Sequence, residues 1–143
     1  CIMATKNAKD NYPAAALRHF HDAEILKNVH SYENAFCHYA FSVECAQKTL
    51  LYWHNNSTPS KHGIVDDWND VSLLLQARKT LDSSLACTVP ATPFPPKLAK
   101  DHPQRRYQKC FHINKKDMDD AQKFAQNMEQ TIINMIIDGL IHV

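Results

Sequence analysis

At 143 residues the chain is long enough for one domain with a true core. Its formal charge of +1 excludes a whole-protein field of the kind that draws a protein onto nucleic acid or a membrane surface. Two glycines are too few for the turns of a β-protein of this size, so composition favours helices. No apolar run reaches the length of a membrane span and no signal peptide is visible. Five cysteines without a C-x-x-C pair point to free thiols in a reducing cytoplasm. The first residues, with Cys1 ahead of Met3, read as a processing remnant.

Asn11-Tyr12-Pro13 is a helix start, with proline tolerated in the first turn. The helix is predicted over 14–29, with Leu17, Phe20, Ala23, Leu26 and Val29 as its buried stripe and Asp22, Glu24 and Lys27 in solvent. A short connection at 28–31 predicts an antiparallel return. Residues 31–53 then form the central helix, with Ser31 as its cap. Phe36, Tyr39, Ala40, Val43, Ala46, Leu50 and Leu51 recur at three- and four-residue steps, and Ala35, Cys45 and Trp53 add a second strip. A helix apolar over more than half its girth is one surrounded by others.

A turn-rich linker leads to a third predicted helix, 64–85, with Ile64, Trp68, Val71, Leu75 and Leu81 as its core face. The following loop, about 86–116, begins with a proline block that rules out a regular helix in its first half. From 97 to 116 the cations are Lys97, Lys100, Arg105, Arg106, Lys109, Lys115 and Lys116, opposed only by Asp101, with His102, Tyr107, Phe111 and His112 among them. Loops this long inside a compact domain are usually functional. A last helix is predicted over 116–141. Its seam Met118, Ala121, Ala125, Met128, Ile132 and Met135 suits the internal core, a dimer interface, or both.

The stretch from Ala14 to Trp53 resembles the first two helices of HEPN domains. The matching residues are Asp22, Ala23, Glu24, Tyr32, Ala35, Glu44, Cys45, Ala46 and Lys48. Arg106-Tyr107, followed by KKDMDDAQKFAQNMEQTI, resembles the family's Arg-Tyr loop before its last helix. The resemblance implies a single all-α domain over 1–143, an antiparallel four- to five-helix bundle that often dimerises, with Glu44 buried and structural. Many family members cleave RNA without metal through an Arg-x(4–6)-His motif. Others bind nucleotide or RNA, or partner a nucleotidyltransferase. The motif fits here as Arg106-x5-His112 or Arg105-x6-His112. The sequence departs from the family pattern in placing His112 before the last helix and Tyr107 after the arginine.

Three functions follow as expectations. The first is a module that binds nucleotide or RNA phosphates through the basic loop 97–116, with Arg105, Arg106, Tyr107, Lys109 and Lys115 as its contacts and Tyr107 or Phe111 stacking on a base. The second is a toxin- or defence-type endoribonuclease in which His112 moves a proton and Arg106 stabilises phosphate charge. The third is a homodimeric interaction subunit of a nucleotidyltransferase-like partner. No cofactor is expected, and no metal. His19 and His21 are too close on one helix to share a face, His30 and His38 are two turns apart, and His62 and Asp66 straddle a helix start. Glu44 and Lys48 have the spacing of a helix pair.

Overall fold

The computed structural model of the chain describes residues 10–55 and 94–143. These are helical, with no strand among the described residues. Helix α1 spans Tyr12–Asn28, α2 Tyr32–Asn55, the one-turn α3 Pro96–Ala99 and α4 Lys115–Ile137, with a 3-10 turn at Gln104–Tyr107. The helix expected over 64–85 lies outside the described residues. Among the described residues no helix is long and apolar enough to cross a membrane.

The helix ends follow local chemistry. The Asn11 side chain accepts from the Ala14 amide at 3.1 Å, with Pro13 in the first turn of α1. Asn114 and Asp117 form a reciprocal capping box that starts α4. Ser31 differs from its expected role, since its hydroxyl accepts from the Asn34 side-chain amide at 3.1 Å while its carbonyl accepts from the Ala35 amide. α1 stops one residue before Val29, because His30 turns left-handed at φ 63° and lets Ser31 reach back to the Leu26 carbonyl at 2.8 Å. Val29 is therefore exposed rather than part of the stripe. The same closure ends α4 earlier than the predicted 141. Gly139 sits at φ 71°, and the Leu140 amide bonds the Met135 carbonyl at 2.9 Å.

α1 and α2 pack side by side along small residues. Ala16, Ala23, Ala35, Ala40 and Ala46 are buried, and the Ser42 hydroxyl donates to the Ala16 carbonyl at 2.8 Å. α4 packs against both and buries the whole seam from Met118 to Met135, with Phe124 added. This seam is consumed by the core of a single chain. The apolar stripe of α2 is buried as the periodicity predicts.

Glu24 and Lys27 are not plain solvated residues. The buried Tyr39 hydroxyl donates to Glu24 Oε1 at 2.5 Å, and Gln122 Nε2 donates to the same oxygen at 2.9 Å. Lys27 donates to Gln122 Oε1 and lies 3.9 Å from Asp119. One carboxylate thus joins three helices. Burial first, and then the bond to Glu24, pushes the Tyr39 phenol well above its ordinary pKa. Tyr39→Phe keeps the packing and removes a hydrogen bond to a charged group. It is expected to cost about 1.5–3 kcal/mol in denaturant unfolding.

Candidate functional site

The described part of the basic segment is held on α2 by two anchors. The first is ionic. Glu44 is buried, and its two oxygens take separate partners: Lys48 Nζ at 2.8 Å and His102 Nε2 at 2.7 Å. Burial by itself would raise the Glu44 pKa. The hydrogen bonds from His102 and Lys48, with the Lys48 charge, reverse that and hold it at about 2. Burial would likewise lower Lys48, but Glu44 raises it above its ordinary value. The Lys48 ammonium also lies over the Tyr12 ring, 5.3 Å from its centre. His102 stands edge-on to Phe41 at 4.8 Å between ring centres. The chain reaches this position through a left-handed Asp101, φ 57°, a conformation that aspartate tolerates better than most residues.

The second anchor is Arg105. It is buried, stacks over Phe36 at 4.8 Å, and donates to the Lys97 carbonyl at 2.7 Å and to the Leu98 carbonyl. These are carbonyls of the last turn of α3, which a helix leaves without internal partners. Arg105 therefore acts as a cap on α3. Lys97 then ties α3 to α4, its ammonium 2.6 Å from Asp117. Phe94 packs edge-on against Phe124 at 5.1 Å.

Beside the second anchor opens a cleft of about 360 Å³. Phe36 and Arg105 are its buried lining. Lys97, Lys100, Asp101, Gln108, Phe111, His112 and Ile113 complete it. The Phe36 and Phe111 rings are 6.4 Å apart and tilted. Arg105 Nε is buried with no hydrogen-bond partner among the described residues.

The residues singled out from sequence fall into two groups. Arg105 and His112 line the cleft. Arg106 leaves in another direction, its guanidinium 5.5 Å from the centre of Phe41 and 4.7 Å from that of Tyr107. Tyr107 is 76 % exposed, and Lys109 and Lys115 are exposed outside the cleft lining. Within the chain, Arg106 and His112 share no described contact, and of the two motif pairings only Arg105 and His112 share a surface. The sequence placed phosphate binding broadly in 97–116, but Lys97, Lys100, Asp101, Gln108, Ile113 and Phe36 were not singled out as site residues. Lys97 and Lys100 were visible in the charge run. Phe36 read as core, which it also is, and Gln108 carried no signal.

A family model, that of the HEPN domain, matches residues 13–135. No curated protein and no solved structure gives a significant match.

The two arginines should separate in stability. Arg105→Ala strands two carbonyls and is expected to cost about 2–4 kcal/mol, whereas the exposed Arg106→Ala should stay within about 0.5 kcal/mol, both read by denaturant unfolding. Glu44 sets an acid limit. Its folded pKa lies below the unfolded value of 4.5, so its contribution is full above that pH and is lost as pH falls towards about 2. Glu44→Gln leaves Lys48 buried without its counter-charge. It should cost about 3–5 kcal/mol at neutral pH and flatten the stability profile between pH 4.5 and 2.

Proposed function

The chain belongs to the HEPN family, and from that premise we propose that it is a helical module binding nucleotide or RNA phosphates in the cleft between α2 and the basic segment. The lining of the cleft carries this reading. Lys100 and His112 gather around a concavity that also offers the partly exposed ring of Phe111, with Lys97 at its side in an ion pair with Asp117. Its volume, about 360 Å³, falls in the ~300–1,000 Å³ range of small-molecule sites. Ammonium groups neutralise phosphate and an aromatic face stacks on a base. Arg105 has both terminal nitrogens committed to α3 and supports the floor. Arg106, Tyr107, Lys109 and Lys115 are exposed outside the cleft and suit a strand longer than one nucleotide.

A second reading, metal-independent endoribonuclease chemistry, draws on the shared cleft of Arg105 and His112. In it His112 takes the proton of a 2′-hydroxyl or returns one to the leaving oxygen. The Arg105 charge lies beside the phosphate rather than gripping it.

Titration with a mononucleotide and with a short single-stranded RNA tests both. Replacing Lys100 by Ala should weaken the nucleotide about tenfold or more. Replacing Arg106, Lys109 and Lys115 by Ala should spare the nucleotide and weaken RNA. It should also flatten the salt dependence by about 0.7 in log–log slope for each phosphate left unneutralised. His112→Ala should cost a binding module little. A nuclease should keep its affinity and lose about 10²–10⁴ in rate. Failure of the wild-type chain to bind either ligand at low salt would exclude both readings.

A further inference from the structure

A second cluster of chemistry-bearing side chains lies on the packed face of α1 and α2, apart from the cleft. His19 and Asp22 are three residues apart on α1, so they share a face. His38 faces them from α2. The two imidazole Nδ1 atoms are 3.2 Å apart, and a ring nitrogen of each histidine lies within 4.8 Å of an Asp22 carboxylate oxygen. All three side chains are half-buried. Phe41 closes one side, its ring 5.4 Å from that of His19.

From this convergence we propose that His19, Asp22 and His38 form a binding site for a zinc-class divalent cation. Two nitrogens this close have room for a single proton between them, and that proton leaves the carboxylate without a hydrogen bond or ion pair among the described residues. A cation satisfies all three groups at once. Nitrogen and carboxylate donors are those of Zn²⁺ and its neighbours, not of Mg²⁺ or Ca²⁺, which take oxygen ligands. Two Zn–N bonds of about 2.0–2.1 Å at a tetrahedral angle set the nitrogens about 3.3–3.4 Å apart, close to the spacing already present. Asp22 joins by a side-chain torsion, and a fourth position remains for water. Bound metal would pin α1 to α2 next to Phe41, the ring that also meets His102 and Arg106. The sequence hid this site because each helix supplies an incomplete set: one His–Asp pair and one lone His.

The test is a titration of the chain with Co²⁺ and Zn²⁺ alone, in reducing buffer. Co²⁺ should bind one to one with visible ligand-field bands and no thiolate charge-transfer band. Zn²⁺ should displace it and move the ¹⁵Nδ1 resonances of His19 and His38. His19→Ala and His38→Ala should each weaken Zn²⁺ by at least the ~10–100-fold that partners of metal ligands cost, and Asp22→Asn by about tenfold or more. His21→Ala, an exposed neighbour on α1, should leave binding unchanged. Circular dichroism checks folding of each variant, and the wild-type resonances decide the matter should a variant unfold. The proposal is overturned by unmoved Nδ1 resonances, by a thiolate band, or by variants that bind as the wild type does. The two rings would then simply share a proton across the helix contact.

Discussion

The buried Glu44 carboxylate is the constraint on which the site depends. An isolated carboxylate at this depth would protonate rather than remain charged. It stays charged because Lys48, one turn away, and His102, from the distant basic segment, each take one oxygen. The arrangement works only as a unit. Lys48 without Glu44 is an uncompensated buried cation, and Glu44 without His102 has an oxygen to satisfy elsewhere. Buried ion pairs often contribute little net stability against an apolar alternative. This one selects a conformation: it fixes where a proline-interrupted segment returns to the bundle.

The architecture was legible because it rests on periodicity. The apolar positions of α2 and α4 recur so regularly that their buried faces can be read directly, and Tyr39, Val43, Met128 and Ile132 are buried where that spacing puts them. Ends were less legible. Val29 and Leu140 continue the apolar pattern, but His30 and Gly139 take left-handed conformations and close the helices before it finishes. A histidine in that role gives no warning, whereas glycine does. Polar residues misled for a related reason. Glu24 and Lys27 look solvated on a wheel of α1 alone, and only the arrival of Gln122 and Tyr39 from two other helices turns them into a partly buried network.

The site was legible as a region and not as a geometry. The charge run located the segment, but neighbouring arginines diverge within it. Arg105 engages Phe36 and Arg106 engages Phe41, rings five positions apart on α2. Which arginine turns inward is decided by the carbonyls of α3 that need donors. That helix is a single turn, and its existence depends on Leu98 entering the core. These are consequences of tertiary contact, and no local pattern encodes them.

α2 thus serves as a platform with two aromatic stations. Phe36 carries the cleft through Arg105 and Phe111; Phe41 carries His102, Arg106 and His19. The charge of the segment is divided accordingly. Arg105 is committed inside the fold, Lys97 faces Asp117 and Lys116 faces Asp120, so the apparent basic patch is smaller than its composition suggests. On the proposed reading, a ligand would meet Lys100 in the cleft and Arg106, Lys109 and Lys115 exposed outside it. Because the segment is attached through Glu44 and the α3 carbonyls, loosening either anchor would change the shape of the cleft without removing those outer charges. On that reading, recognition of a small phosphate ligand would therefore depend on the buried anchors, and attraction of a longer polyanion would depend on them much less.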